Sequence, residues 1–237
     1  MNKGSLYDSI HKRTLKFDFR QKVSILLDIA SGLVSILLFF FFFFLPSFLL
    51  LLLVFSNLMP LLLLHEPPLP PTNPRQKYLH SQSFIHRDLK SQNVLLSQDE
   101  KGKITAKLAD FGLSRFKDGL SQSLNSRNVG TPITMAPEVV SSGVYNVQCD
   151  IFSFAIIMWE LYFEDKPYKD EKALNVVHFK VSQDPNFRPV INKQNPNPIE
   201  AQLFKAMRQS WSHKPTDRPT AAQLEEFFQK MLSNIPK

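Results

Sequence analysis

Apolar residues recur at steps of three and four along residues 17–33, a pattern that predicts an amphipathic helix. Ahead of this stretch, Gly4 and Ser5 precede an apolar pair, as turn residues do at the start of a short helix. Residues 149–161 are almost entirely apolar, which is typical of a helix buried on all sides. From residue 167 onward, amphipathic helical patterns alternate with proline-marked loops. The recurring apolar positions of the first long helix are Val23, Leu26, Leu27, Ala30 and Leu33.

Two short apolar runs, residues 93–96 and 104–108, flank a turn signal that contains Asp99 and Gly102. This arrangement predicts a short β-hairpin.

The longest apolar run covers residues 34–64, includes six consecutive phenylalanines (Phe39 to Phe44), and is followed by a proline-rich stretch, residues 65–76. On hydropathy alone the run is a candidate transmembrane segment, since such a helix needs roughly 18 apolar residues. A straight helix of this length would span roughly 46 Å, against a hydrocarbon core of about 30 Å. Pro46 and Pro60 would kink it. The basic residues that precede it would favour a cytoplasmic N-terminus and place all later residues across the membrane.

Composition narrows the class of protein. The 237 residues fit one large domain or two small ones, and the net charge of +7 is modest. Lysine and arginine are interleaved with acids, so we expect no basic stripe for nucleic acid. The single cysteine, Cys149, excludes an internal disulfide and a multi-cysteine zinc site, and it fits a reducing, intracellular compartment. The N-terminal residues mix polar and apolar types and show no secretory signal.

The candidate chemistry lies in one octapeptide, His86-Arg87-Asp88-Leu89-Lys90-Ser91-Gln92-Asn93, which an apolar run follows directly. The carboxylate of Asp88 can orient a substrate hydroxyl and accept its proton. The ammonium of Lys90 is a point charge that suits a transferring phosphoryl group. The side-chain carbonyl of Asn93 is a hard ligand that suits Mg²⁺. The simpler alternative is a solvated loop with scattered charges.

The octapeptide matches the catalytic loop of protein kinases, H-R-D-L-x-x-x-N, so the chain resembles a eukaryotic protein kinase. Two further motifs support the resemblance. Asp110-Phe111-Gly112 stands 22 residues (110 − 88) after Asp88, beyond the predicted hairpin. Residues 130–138, Gly-Thr-Pro-Ile-Thr-Met-Ala-Pro-Glu, resemble the end of a kinase activation segment. The combination is most similar to the tyrosine-kinase-like group of serine/threonine kinases. It implies a kinase-like α+β fold, a mainly helical large lobe with a short β-hairpin at the catalytic cleft.

The resemblance implies two cofactors, ATP and Mg²⁺, and a set of catalytic residues. Asp88 would act as the base, Lys90 would neutralise the phosphoryl group, and Thr131 would hydrogen-bond both of them. Lys90 and Thr131 also favour serine or threonine as the acceptor. Leu95 would form the apolar floor beneath the adenine. The implied metal ligands are Asn93 and Asp110, and the implied nucleotide contacts are Lys90, Asn93, Leu95 and Asp110.

Three further residues would support the catalytic loop by resemblance. Phe111 would pack beneath His86, and Gly112 would give the backbone freedom to move. Asp150 would accept hydrogen bonds from backbone donors of the catalytic loop. An ordinary helix-capping role for Asp150 is compatible with that function.

The resemblance also implies a buried ion pair between Glu138 and Arg218. Arg87 would be the cation that pairs with a phosphorylated residue of the activation segment, residues 113–135. A polar loop with no regulatory role is the alternative for each candidate hydroxyl. The candidate phosphorylation sites are Ser121, Ser123, Ser126 and Thr131.

Residues 34–76 gain a second interpretation from the resemblance. Deleting them joins Gly32-Leu33 to Lys77-Tyr78-Leu79-His80, which restores the helix that precedes the catalytic loop in the family. Valine codons begin with GT, a glutamine codon can be CAG, and phenylalanine, leucine and proline codons are rich in pyrimidines. These features indicate a translated in-frame intron of 43 codons (76 − 34 + 1). We expect this intron in preference to a transmembrane segment or a disordered insertion, and sequencing of the mature transcript would decide.

The expected organisation is residues 1–33 and 77–232 as the kinase large lobe, residues 34–76 as an insertion, and residues 233–237 as a tail. No glycine-rich phosphate loop and no Val-Ala-x-Lys strand precede the catalytic loop. We therefore expect the small lobe to be absent and the chain as it stands to be inactive. The expected function of the intact enzyme is transfer of the γ-phosphoryl group of ATP to a protein serine or threonine in the cytoplasm.

Two alternatives to this function stay open. A bare large lobe could act as a non-catalytic, pseudokinase-like interaction module, or the sequence could be a translation that never folds. A membrane location is expected only if residues 34–64 are translated and inserted. Nucleic acid is not expected as a partner.

Overall fold

A computed structural model of the protein describes residues 3–35, 84–110, 115–116, 132–171 and 173–236. The expectations for most of the insertion and for much of the activation segment lie outside these residues. The described part has the expected α+β character. Its helices are α1 (Leu6–His11), α2 (residues 19–35), α3 (Pro137–Ser142), α4 (Val147–Phe163), α5 (Leu174–Gln183), α6 (Pro198–Ser210) and α7 (Ala221–Asn234).

The strands form two small antiparallel sheets. β2 (Val94–Gln98) pairs with β3 (Ile104–Leu108) as the predicted hairpin, with Val94 opposite Leu108. β1 (Phe84–Ile85) pairs with β4 (Arg115–Phe116). The hairpin turn is stabilised by Asp99, whose Oδ1 accepts from the backbone N–H groups of Lys101 and Lys103 at 3.0 and 2.8 Å. The prediction of a hairpin at this place is confirmed.

Helix α4 is the centre of the core. All residues from 149 to 161 are buried, as expected for a helix that is apolar on every side. The helix begins where Asn146 caps it, since the Asn146 side chain accepts from the backbone N–H of Gln148 at 2.9 Å. It ends at Glu164, which adopts the left-handed conformation common at helix C-termini.

Helix α2 packs against the hairpin at two points. Gly32 lies so close to β3 that a Cβ atom there would stand 3.2 Å from Cδ1 of Leu108. One turn earlier, the carboxylate of Asp28 accepts from the backbone N–H of Ala106 at 2.8 Å. Burial raises the pKa of Asp28, while the hydrogen bond from Ala106 opposes this effect. This close packing places the hairpin, and with it the end of β3, at a defined distance from the core.

Helix α2 differs from the predicted helix in where it starts and in which of its side chains are buried. The helix starts at residue 19 because Asp18 caps it: Asp18 Oδ1 accepts from the backbone N–H of Gln21 at 2.7 Å, and Gln21 Oε1 accepts from that of Asp18 at 3.0 Å. Leu27 is half-buried at the edge of the core, whereas Ile25 and Ile29 are fully buried. Burial of these two residues shows that α2 is covered over a wider arc than a single apolar stripe.

The N-terminal residues form an edge that the sequence pattern did not indicate. The backbone N–H of Lys3 donates to the carbonyl of Leu96 at 3.2 Å, and that of Leu96 donates to the carbonyl of Gly4 at 2.9 Å. Residues 3–5 thus extend along β2 before Ser5 caps α1, as predicted for a short helix start. Across the described residues, no helix combines the length and apolar character that crossing a membrane requires.

Candidate active site

The catalytic loop, residues 86–93, connects β1 to β2 and ends in the 3₁₀ turn Ser91–Asn93. Two buried apolar side chains, Ile85 and Leu89, anchor the loop. Burying these side chains contributes about 1.5–3 kcal/mol each, which offsets part of the cost of placing polar groups beside them. The polar side chains of His86, Asp88 and Asn93 are therefore held on a rigid base although each is itself buried.

Asp150, in the first turn of α4, holds the backbone of the loop. Its Oδ2 accepts from the backbone N–H of His86 at 2.7 Å, and its Oδ1 accepts from that of Arg87 at 3.0 Å. Burial raises the pKa of Asp150 to about 6, although the two backbone donors and the charge of Arg87 oppose the rise. One carboxylate thus satisfies two buried N–H groups that would otherwise each cost about 1–3 kcal/mol.

Asp88, Lys90 and Asn93 form one hydrogen-bonded cluster. Oδ2 of Asp88 accepts from Nζ of Lys90 at 2.6 Å and from Nδ2 of Asn93 at 3.1 Å. Nδ2 of Asn93 also donates to the backbone carbonyl of Asp88 at 2.8 Å. The amide nitrogen of Asn93 is therefore committed to Asp88. Its carbonyl oxygen accepts no hydrogen bond from the described residues, which leaves it available to a ligand.

The hairpin brings Asp110 to the end of the catalytic loop. Because Val94 lies opposite Leu108, Asn93 lies opposite Ala109, and the Ala109 N–H donates to the Asn93 carbonyl at 2.8 Å. Asp110 follows directly, exposed, with a left-handed backbone (φ 60°) that is uncommon outside glycine, asparagine and aspartate. The register of the two strands therefore sets an amide oxygen and a carboxylate at the same end of the hairpin.

The donor set of Asn93 and Asp110 fits Mg²⁺. Mg²⁺ takes oxygen ligands and is usually held by one or two carboxylates together with phosphate oxygens and water. The described residues hold no group of three or more His, Cys, Asp or Glu that could bind a metal by themselves. Asn93 and Asp110 would therefore hold the ion through the phosphates of a nucleotide, and not as an all-protein site.

His86 connects the catalytic loop to the end of β3. Its Nε2 lies 3.1 Å from the carbonyl oxygen of Ala109, and since a carbonyl can only accept, this nitrogen carries the proton. Burial lowers the pKa of His86, while the Ala109 carbonyl and the charges of Asp88 and Asp110 oppose the effect. The ring is therefore neutral at pH 7 and acts as a structural link.

Arg87 contacts a residue that sequence reasoning did not single out. The guanidinium carbon of Arg87 stands 4.8 Å from the ring centroid of Tyr145, within the range of a cation–π contact. Arg87 also has a left-handed backbone (φ 69°), a conformation rarely adopted by long side chains. The only sequence signal for Tyr145 is its position next to Asn146, the residue that caps α4.

Glu138 and Arg218 form the ion pair that the resemblance implied. The pair is bidentate: Arg218 Nη1 donates to Oε1 at 2.7 Å and Nη2 donates to Oε2 at 2.8 Å. The three remaining N–H groups of Arg218 donate to the carbonyls of Ser212, Gln148 and His213. All five donors are therefore satisfied, which allows a guanidinium to lie 4% exposed in the core.

The remaining predicted site residues lie partly inside and partly outside the described part of the chain. Leu95 lies in β2 opposite Lys107 and is half-buried, on the face opposite to the buried Val94 and Leu96. That face is the one on which an apolar floor for a nucleotide was expected. Outside the described residues lie Phe111, Gly112, Thr131 and the candidate phosphorylation sites Ser121, Ser123 and Ser126.

We expect Asp150→Asn to change how stability depends on pH. The folded pKa of Asp150, about 6, lies above its unfolded value, so its contribution to stability is complete below about pH 4. It is lost as pH rises to about 6, by roughly 3 kcal/mol in total. The cost of the substitution should therefore be larger at pH 4.5 than at pH 7 in urea unfolding. An equal cost at both pH values would contradict the raised pKa.

Comparisons with known proteins agree on one family. The profile of the family described as "Protein tyrosine and serine/threonine kinase" matches residues 76–228, well over half of the chain. The mitogen-activated protein kinase kinase kinase mom-4 of Caenorhabditis elegans is 37% identical over 159 residues, which are 67% of this chain and 27% of the relative. The probable serine/threonine-protein kinase drkC of Dictyostelium discoideum is 33% identical over 183 residues, 71% of this chain and 23% of the relative.

A third relative aligns with almost the whole chain. The serine/threonine-protein kinase STY17 of Arabidopsis thaliana is 26% identical over 235 residues, 99% of this chain and 32% of the relative. The chain thus spans about a quarter to a third of the length of these relatives. The matched residues 76–228 include the catalytic loop, the hairpin, Asp110, Glu138 and Arg218. The motifs, the geometry of the loop and the family profile agree, and the chain belongs to the eukaryotic protein kinase family.

Proposed function

We propose that the protein is a serine/threonine kinase that transfers the γ-phosphoryl group of ATP to a hydroxyl of protein substrates in the cytoplasm. The observation that carries the proposal is the cluster in which Lys90 and Asn93 both donate to one oxygen of Asp88. Phosphoryl transfer needs little covalent chemistry from a protein and depends on positioned charge and a positioned acceptor. The names of the relatives, which are serine/threonine kinases, support the same assignment.

Each residue of the cluster has one task in this proposal. Asp88 orients the hydroxyl of the substrate and takes its proton onto a carboxylate oxygen. Lys90 is held beside Asp88 at 2.6 Å and adds positive charge where negative charge accumulates in the transition state. Bound Mg-ATP supplies the reactive phosphoryl group, and Asn93 and Asp110 provide the oxygens that hold its metal. Leu95 contributes an apolar surface beneath the adenine.

The preference for serine or threonine as the phosphoryl acceptor has less direct support than the catalytic cluster. Lys90, two residues after Asp88, and Thr131 are the positions at which this chain resembles serine/threonine kinases. Protein substrates follow from the family, whereas the identity of the substrate depends on surfaces outside the catalytic cluster.

Phosphoryl transfer tests the proposal directly. The full product of the gene, read from its mature transcript, is tested in place of the 237 residues alone, which we expect to be inactive. It would be incubated with radiolabelled ATP and Mg²⁺ and with matched peptides that differ only in carrying serine, threonine or tyrosine. We expect label on serine and threonine, and none after Mg²⁺ is chelated. Label on tyrosine alone would refute the assigned acceptor. A protein that binds Mg-ATP without transferring phosphate would instead support a non-catalytic interaction module.

A further inference from the structure

A cavity of about 730 Å³ opens between the segment that precedes α6 and the turn that follows it. None of the residues that line it belongs to the candidate active site. Its apolar wall includes Pro185, Pro189, Val190 and Trp211. Val190 is 73% exposed, the largest exposure of any large apolar side chain among the described residues. Its backbone is nevertheless held in place, because Trp159 Nε1 donates to the Val190 carbonyl at 2.9 Å.

The polar wall of the cavity carries an excess of positive charge. Arg188, Arg208 and Lys214 line it, against one acid, Asp217. The hydrogen bonds of Arg188 go to backbone carbonyls, those of Trp211, Phe187 and Asp184, and not to a carboxylate. Four lining side chains charged at pH 7 therefore leave a net charge of +2 (three cations minus one acid).

Two of these cations differ from three exposed lysines that form ion pairs. Lys12, Lys169 and Lys230 each pair with a carboxylate four residues away along a helix or turn. Arg208 and Lys214 are exposed as well, yet within the described part of the chain neither side chain lies in an ion pair or a hydrogen bond. Their charges are thus available to a ligand at no cost in broken internal ion pairs.

The titration of His213 reflects the same positive field. Burial lowers the pKa of His213, and the neighbouring charges of Arg188 and Arg218 lower it further, against a smaller opposing effect of Glu138. His213 therefore adds no charge of its own to the cavity at pH 7, and the positive charge comes from the arginine and lysine side chains.

We propose that this cavity is a docking site for an acidic peptide segment of a partner protein. Carboxylate side chains of the peptide bind Arg208 and Lys214, and an apolar side chain packs on the exposed side chain of Val190. The volume suits a few side chains, since ligand sites commonly enclose about 300–1,000 Å³. A partner with both charge and apolar groups fits better than a polyanion, because the cavity joins a cationic rim to an exposed apolar wall. The site holds its partner away from the catalytic loop and does not require phosphoryl transfer.

The test measures binding of a short fluorescein-labelled peptide that alternates glutamate with leucine, by fluorescence anisotropy in the absence of ATP. The double variant R208E/K214E should raise the Kd about tenfold or more, since reversal of two charges converts attraction into repulsion. The single variants Arg208→Glu and Lys214→Glu are measured as well. Their matched control is Lys205→Glu, which makes the same change in charge on the helix of Arg208 at a residue that does not line this cavity. Val190→Ser should weaken binding of the same peptide, but it should not weaken binding of a peptide in which alanine replaces leucine.

Three outcomes would overturn the proposal. The first is a Kd that R208E/K214E leaves unchanged. The second is an equal loss in Lys205→Glu, which would show only a general effect of net charge. The third is binding of anionic lipid vesicles, but not of the peptide, by the unaltered protein. Because ATP is absent, each result is separate from whether the protein transfers phosphate. Arg208 and Lys214 are exposed, so the variants should stay folded, and circular dichroism checks that they do.

Discussion

Asp88→Asn is expected to lower the rate of phosphoryl transfer about 10²–10⁴-fold while the protein stays folded. Asparagine has the same shape as aspartate, and its carbonyl oxygen can still accept from Lys90, which now lies 2.6 Å from Oδ2 of Asp88. The amide cannot take a proton from the substrate hydroxyl, and it removes the negative charge that holds Lys90 in place. The measurement is the initial rate with saturating Mg-ATP and a serine peptide, on the complete protein.

The matched control is Asp99→Asn in the turn of the same hairpin. Asp99 is exposed and uses one oxygen, Oδ1, to accept two backbone hydrogen bonds, which an asparagine carbonyl can also accept. We expect its rate to remain within about twofold of the unaltered protein, as for surface substitutions of small effect. If Asp88→Asn retained most of the activity while its unfolding midpoint was unchanged, Asp88 would not be the base.

Removing Glu138 is expected to destabilise the folded protein by about 3–5 kcal/mol, because it leaves the charge of Arg218 buried and uncompensated. Arg218 is 4% exposed, so its guanidinium would lose two hydrogen bonds while it stays largely buried. Glu138→Ala also removes one of two acceptors near the Cys149 thiol: Glu138 Oε1 lies 3.4 Å from Sγ, and Asn146 Oδ1 lies 3.7 Å from it. The measurement is the free energy of unfolding in urea.

A double-mutant cycle separates the ion pair from other effects of the substitutions. Once Glu138 is absent, Arg218→Ala should cost much less than it does alone, since no ion pair is left to break. The contrasting pair is Lys230 and Glu226, which stand 2.6 Å apart but are 73% and 64% exposed. Glu226→Ala should cost no more than about 1 kcal/mol. Additive effects at Glu138 and Arg218 would mean that the buried pair does not stabilise the fold.

Several parts of the structure could be predicted from the sequence because they depend on neighbours in the chain. The α2 helix and the hairpin follow from periods of apolar residues and from turn residues at Asp99 and Gly102. The catalytic cluster is similarly local: Asp88, Lys90 and Asn93 lie within six residues of one another, so one turn of backbone brings them together. The sequence analysis did not predict that Asp18 caps α2, although its partner Gln21 stands three residues later, the usual spacing.

Other contacts could be anticipated only through resemblance to a known family. Glu138 and Arg218 are 80 residues apart, and Asp150 is 64 residues from His86. No periodicity or local spacing relates such positions, because the pairing depends on how α3, α4 and the turn after α6 pack against each other. Geometry then supplied what the resemblance did not: the two oxygens of Asp150 divide between two backbone donors, and Arg218 has all five donors satisfied.

The sequence by itself determined the long helices, the hairpin, the residues of the predicted catalytic loop and the family, because these depend on residue types at short separations. The tertiary structure alone decided which charges are paired and which are exposed. Nothing in the sequence distinguishes Arg208 and Lys214 from the other basic residues, or Tyr145 from the other aromatic residues. Tertiary packing places Tyr145 against Arg87 and leaves Arg208 and Lys214 beside an open cavity. The partner of a side chain depends on the distance between packed elements and not on its position in the sequence.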